Sequence, residues 1–415
     1  MNKLISASVY CESIFDGTHE SPKPVEQGKL LITSKHISGG NLNYSKAYLI
    51  SDKDYISIQK RSRVSQWDIL FSMIGTVGEV YLEKNAEIPY AIKNLGVFSC
   101  KDESRAKWLY YYLKSPAAKS HIARFLNGAV QKFLPLGALR EFPVIPYDEQ
   151  KLNLLKVLEA IDSKIALNNQ INCELESIAR TLYDYWFLQF NFPDSRGNEY
   201  SNNNGLFAWD PIFKKDIPRE WKVCNLKDFE PSIITGKTPP TNEHLNYGGD
   251  IPFITIGDIR NGMHITKTEI LLSEQGANLQ RNKFISKGAI CVSCIASPGL
   301  VGISTKPSQT NQQINSIICS KEYSRNYLYF VLKDHFQYSF GAKAGNTFAN
   351  MNKNDFSAIN IIVPDEHTLL SFMEISNPIF DKILNVTNQN DTLTSLRDWL
   401  LPMLMHGQIS INPNS

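Results

Sequence analysis

At 415 residues, with 42% apolar side chains and a formal net charge of +2, the chain is long enough for two or three domains with filled cores. No apolar run approaches the roughly 18 residues of a membrane-spanning helix, and Met1 to Ser6 carry no signal-peptide core, so a cytoplasmic chain with no membrane partner is expected. Seven cysteines, an odd number without framework spacing, point to a reducing compartment rather than a disulfide scaffold.

In chain order, Gly28 to Ile32 reads as a strand, with a Gly39-Gly40-Asn41 turn after it. Ile69 to Ile74 reads as a buried strand, and Ala106 to Ser115 as a helix anchored by Trp108 and Tyr112. Phe142 to Pro146 leads into an acidic pair, Asp148-Glu149. From Leu154 the apolar residues then step by four and three: Leu158, Ile161, Ile165, Asn168, Asn172, Leu175, Ala179, Leu182 and Trp186, a heptad seam of the coiled-coil kind. Residues 191–220, rich in Asn, Pro, Gly and Ser, read as a linker.

The pattern then repeats at an offset of about 220 residues. Asp250 to Ile254 and the Asn261-Gly262 turn answer the first strand and turn. Ala289 to Ile295 answers the buried strand, and Asn326 to Asp334, with Tyr327 and Phe330, answers the helix. Asn360 to Pro364 and Asp365-Glu366 introduce a second seam: Ile379, Ile383, Val386, Asn390, Leu393, Leu400 and Leu404. Arg397 interrupts it, and Pro378 and Pro402 are expected to trim its helix.

Charge follows the same division. Residues 1–147 carry a net +6, residues 148–190 a net −3, residues 191–364 a net +3 and residues 365–415 a net −4. Both globular stretches are basic and both helical stretches acidic, so a phosphate backbone is drawn to the former and repelled by the latter. The two seams are expected to pair antiparallel, with Asn172 and Asn390 pairing amide to amide to fix the register. Helices of about 40 residues, some 60 Å long, would then hold the basic domains apart at opposite ends of a rod. The predicted class is α+β: two pseudo-repeated globular α/β domains, residues 1–147 and 221–364, separated by two long antiparallel coiled-coil helices, residues 148–190 and 365–415.

Specific segments carry a resemblance. They are Gly236-Lys237-Thr238-Pro239, Tyr247 to Ile254, Lys287-Gly288-Ala289-Ile290, and Glu149-Gln150 leading to Ala160-Ile161-Asp162. To these add Leu175 to Arg180 before Trp186-Phe187, and Leu396 to Leu401 before Gly407-Gln408-Ile409. Loose singly but ordered and duplicated, they make the chain resemble the specificity subunit of type I restriction–modification systems along essentially its whole length. The resemblance implies two target-recognition domains, each reading half of a split double-stranded DNA sequence. It also implies helices that space the domains and dock two methyltransferase subunits, with restriction subunits around that core. The chain itself would be non-catalytic and hold no cofactor. Partners would use S-adenosylmethionine to methylate adenine at N6, and ATP and magnesium for restriction. The first copy departs from the pattern, carrying Gly17-Thr18-His19-Glu20-Ser21-Pro22 where the second has Gly-Lys-Thr-Pro, which is read as a different half-site.

Searches for chemistry of the chain's own end in weak signals. A phosphate-binding loop ending in Gly236-Lys237-Thr238 would need its first glycine where Pro231 stands. Cys291-Val292-Ser293-Cys294 has the spacing of a metal or redox pair, but Leu70 and Met73 hold the matching places, so both thiols are read as core fillers and no metal is expected. Glu149-Gln150-Lys151 has a nuclease-like form, explained by helix capping. A free-standing DNA-binding decoy or repressor of the same fold is the main alternative, and a self-sufficient methyltransferase or nuclease a weaker one. Candidate DNA contacts are Thr18, His19, Lys23, Lys60, Arg61, Arg63, Gln131 and Lys132 in the first copy, and Lys237, Thr238, Arg260, Lys267, Lys343 and Asn346 in the second. Lys60 to Arg63 is the densest basic cluster.

Overall fold

The computed structural model describes residues 4–45, 47–127, 133–194, 197–201, 205–341 and 350–405. They form two compact units: unit 1 joins Met1–Ile165 to Leu393–Ser415, and unit 2 is Ala166–Thr392. Each contains its own copy of the repeated pattern.

In unit 1 a four-stranded antiparallel sheet runs in the order Ser13–Asp16, Leu95–Ser99, Asp68–Ser72, Val80–Leu82. Asp68–Ser72 and Leu95–Ser99, the two central strands, are buried along their whole length, so both faces of the sheet are covered there. One face takes helix Glu103–Lys114, whose Trp108 is fully buried and donates its indole N–H to Ile145 O at 2.7 Å. A three-stranded sheet, Tyr48–Ile50, Lys29–Ile32 and Tyr90–Ile92, has its last two strands parallel, and two short pairs, Ile5–Ser6 with Pro143–Val144 and Ile37–Ser38 with Asn41–Leu42, join it in the unit.

Unit 2 builds the same frame. Its larger sheet runs Ile233–Thr235, Ile314–Ile317, Ile290–Ser293, Val301–Ser304, His264–Ile265, and its smaller one Ile270–Leu272, Tyr247–Ile254, Gln309–Thr310. Thr33 and Thr255 form the same capping box, with His36 and Asp258, directly after matched strands. Lys114 lies 4.8 Å from the Tyr110 ring and Lys333 4.9 Å from the Tyr329 ring, so even a cation–π contact is copied.

The two long helices are Leu152–Tyr183, continued by a π turn over Asp184–Leu188, and Glu366–Met405. They pair antiparallel within each unit. In unit 1, Leu154, Leu155 and Leu158 share a core with Leu401, and Arg397, which breaks the apolar seam, donates to Asp162 at 2.9 Å. In unit 2, Ala179, Tyr183, Trp186 and Phe187 pack with Phe372, Phe380 and Ile383. Of the seam positions, Leu158, Ile161, Ile383 and Val386 are buried; Ile165, Asn172, Leu175, Leu182, Ile379, Asn390, Leu393 and Leu400 are half-buried.

Several expectations are corrected here. Asn172 and Asn390 do not pair with each other. Asn390 bonds Asn168 (2.9 Å) and Asn169 (2.8 Å), while Asn172 donates to Thr387 Oγ1 at 3.1 Å. The register sets Asn390 opposite Asn168 and Asn169, and Asn172 opposite Thr387, so these two equivalent asparagines stand most of a helical turn apart. Nor does proline trim the second helix, which continues through Pro378 and Pro402. Pro378 is exposed, and its neighbours are pinned, Asn326 Nδ2 donating to Ser376 Oγ (2.9 Å) and Asn377 Oδ1 (2.8 Å). Asp365 caps its helix through Thr368 N at 2.9 Å, but Asp148 makes no cap and instead pairs with Lys151 at 2.7 Å. Residues 191–220 hold an antiparallel hairpin, Phe207–Asp210 with Lys215–Pro218, where a plain linker was expected. Phe192 and Tyr200 of this stretch stack at 4.6 Å, with Trp221 5.1 Å from Phe192 on the other side.

Candidate nucleic-acid interface

Each interface begins where a strand end must pass close under a neighbouring backbone. In unit 1, Gly17 follows strand Ser13–Asp16, and a Cβ there would meet Ile92 O at 2.6 Å. Only glycine permits this approach. Gly17 N donates to Leu95 O at 2.8 Å and Thr18 N to Ile92 O at 3.1 Å. Unit 2 repeats it: Gly236 N donates to Ile314 O (3.2 Å), Lys237 N to Thr310 O (3.0 Å), and a Gly236 Cβ would meet Thr310 O at 2.2 Å. Gly236-Lys237-Thr238 thus lies at a strand end, not at the start of a phosphate-binding helix.

The turns differ in their side chains. In unit 1, His19 is exposed, its Nε2 3.0 Å from the Asp16 carboxylate and its Nδ1 3.0 Å from Asn94 Oδ1. Arg61 reaches the other Asp16 oxygen at 3.5 Å, so His19 and Arg61 come together around a nearly buried carboxylate. Lys60 and Arg61 occupy the last turn of helix Asp52–Ser62, where the helix dipole favours cations, and Arg63 follows directly. Two open cavities flank this cluster. One, of about 440 Å³, is bordered by Gln59, Lys60 and Arg63; the other, of about 380 Å³, by His19, Asn94, Ile74 and Phe133. Lys23 is exposed on the strand-to-strand loop.

In unit 2, Lys237 is exposed and Thr238 Oγ1 donates to Gln312 Oε1 at 2.6 Å. Arg260 donates to Ser297 Oγ at 2.8 Å. Lys267 turns the other way, donating to Asp391 O on the second long helix at 3.1 Å. Gln131 and Lys132, and Lys343 and Asn346, lie outside the described residues. Two further cations were missed. Ser51 and Ser273 cap equivalent helices, bonding Asp54 N and Gly276 N at 3.1 Å each, which places the turn Arg281–Lys283 where unit 1 has its Lys60–Arg63 cluster. The paired Ser caps were the signal in the sequence.

Near Lys267, His264 is buried and donates from Nε2 to Phe380 O at 3.1 Å, fastening strand His264–Ile265 to the second long helix. Burial, reinforced by Arg325, lowers its pKa to about 4 against the Phe380 bond that opposes the shift. Above the free-histidine value of about 6.5 both folded and unfolded states are neutral; between that value and 4 only the unfolded state takes the proton, so stability falls as pH falls. Wild type is expected to lose about 2 kcal/mol between pH 7 and pH 5 relative to His264→Gln, read from urea unfolding. Equal slopes in the two proteins would contradict this.

Cys291 and Cys294 project into different core clusters, so they do not converge on one ligand. Burial raises their thiols to about 12 and about 11, which keeps them protonated and inert. What these turns present is positive charge, hydroxyls, an imidazole and carboxamides, the groups that bind a polyanion and read base edges.

A family model described as the type I restriction modification DNA specificity domain matches residues 23–177 and again 218–391. The chain belongs to this family. It is similar to the type I restriction enzyme HindI specificity subunit of Haemophilus influenzae, 35% identical over 314 residues, covering 64% of this chain and 68% of that one. The MjaIX specificity subunit of Methanocaldococcus jannaschii is 24% identical over 325 residues, 75% of this chain and 71% of that one. A solved S subunit of a type I restriction–modification system from M. genitalium shares the fold with a TM-score of 0.50 at 12% identity, covering 97% and 95% of the two chains. The type I specificity subunit is the non-catalytic member of a multi-subunit enzyme, and the duplicated match coincides with the duplicated frame. No helix among the described residues is long and apolar enough to cross a membrane.

Proposed function

We propose that this specificity subunit works in the cytoplasm and reads a bipartite DNA target, one half-site per unit, directing adenine-N6 methylation and restriction by its partners. The observation that carries this reading is one strand-and-turn frame built twice with different side chains at its turns, His19 in one and Lys237-Thr238 in the other. Thr18, His19, Lys23, Lys60, Arg61 and Arg63, with Lys237, Thr238 and Arg260, are the proposed contacts. Lys267, spent on the long helix, is not among them. Two methyltransferase subunits would dock on the helices, which supports two equal sites: unit 1 exposes Leu152 and Leu396, and unit 2 exposes the equivalent Leu370 and Ile178. S-adenosylmethionine, and the ATP and magnesium used in restriction, belong to those partners. The test is a genome-wide map of methylated adenines with and without the gene. Loss of methylation at one split motif is expected; an unchanged map in a host that expresses the partner subunits would overturn the proposal.

A further inference from the structure

The two turns share a contact that the charge pattern does not reveal. His19 and Thr238 each stand two residues after the crowded glycine, and each bonds a carboxamide on the segment entering the next strand. Those amides, Asn94 and Gln312, are themselves equivalent: each lies two residues beyond the parallel-paired residues Ile92 and Thr310. The side chains have exchanged length. A long imidazole meets the short Asn94, and a short hydroxyl meets the longer Gln312, so the reach across the contact is kept while its members change. An incidental surface bond has no reason to be compensated in this way.

In both cases the amide oxygen is the near atom, 3.0 Å from His19 Nδ1 and 2.6 Å from Thr238 Oγ1. The oxygen keeps a second lone pair, and the amide nitrogens have no hydrogen-bond partner among the described residues. Asn94 also has a backbone φ of 53°, in the left-handed region that asparagine tolerates better than most residues, and Gln312 is exposed. Each carboxamide is thus orientated, with a donor and an acceptor side by side. That is the complement of adenine N7 and N6–H₂ in the major groove.

We infer that Asn94 and Gln312 each read an adenine in their unit's half-site, with His19 and Thr238, besides their own contacts, fixing the amide planes. This deepens the DNA-reading function proposed above and rests on it. The experiment uses the chain assembled with its methyltransferase subunits, selecting from randomised duplexes. Asn94→Ala is expected to lose the preference for adenine at one position of one half-site and to leave the other half-site intact, which also shows that the variant is folded; Gln312→Ala is expected to do the converse. Placing 7-deazaadenine at the position in question removes the N7 acceptor and is expected to weaken wild type about tenfold and Asn94→Ala not at all. His19→Thr is expected to lose the same single-base preference with its salt dependence unchanged, and His19→Thr combined with Asn94→Gln, which transplants the unit 2 pair, to regain it. Unchanged base preference in Asn94→Ala would overturn the inference, as would a uniform loss of affinity across all sequences, the mark of a phosphate contact. If wild type selects no split sequence at all, the DNA-reading function itself fails, an outcome distinct from both.

Discussion

Gly236→Ala is expected to destabilise unit 2 by at least about 3 kcal/mol and to erase recognition of one half-site. The added methyl carbon would stand 2.2 Å from Thr310 O, 2.2 Å from Thr310 Oγ1 and 2.3 Å from Asn311 O. Two of these are backbone atoms fixed by the parallel pairing of Ile254 with Thr310, so no side-chain rotation relieves the clash. The turn must lift, breaking the Lys237 N to Thr310 O bond and carrying Thr238 away from Gln312. Gly137→Ala is the control, since a Cβ there meets nothing within 4 Å and the residue lies in helix Leu136–Arg140. Denaturant unfolding, together with the selected DNA motif, measures both effects. A Gly236→Ala protein with wild-type stability and an intact two-part motif would show that the close approach is not required.

Phe187→Ala is expected to cost about 3–5 kcal/mol, read from the unfolding of unit 2. The ring sits 4.6 Å from Tyr327, 4.8 Å from Phe372, 5.3 Å from Tyr183 and 5.8 Å from Trp221. It therefore joins four elements: both long helices, helix Ser324–Gly341 and the segment after the hairpin. Tilted and edge-on ring pairs add to the area buried, so truncation removes several favourable contacts and leaves a cavity walled by rigid rings. Phe187→Leu should recover part of the loss. A cost below about 1 kcal/mol would mean that the cluster closes over the gap, contrary to the behaviour of close-packed cores.

Much of this molecule was legible along the chain. The buried strands Asp68–Ser72 and Ile290–Ser293, the helices carrying Trp108 and Tyr327, and the long helices all announce themselves through local apolar spacing, and doubling makes each signal check the other. The replacement of Lys237 by Thr18 at one and the same turn was also visible, because the flanking glycines align. Which polar side chains meet was not visible. Asn390 bonding Asn168 and Asn169, Lys267 turning to Asp391 and Asn94 meeting His19 all depend on how separate segments cross, and neither propensity nor periodicity encodes a crossing.

Local rules for Pro378 and the segment 191–220 hold when nothing else acts on the backbone; here Asn326 pins the two residues before the proline, and an aromatic stack orders the stretch expected to be a linker. Duplication, class of fold and family were readable before folding, since all three are written in residue order and apolar period. Which lysine turns back onto the second long helix, and which carboxamides meet His19 and Thr238, followed from folding alone, because a hydrogen bond is fixed by distances between atoms that the chain brings together only on folding.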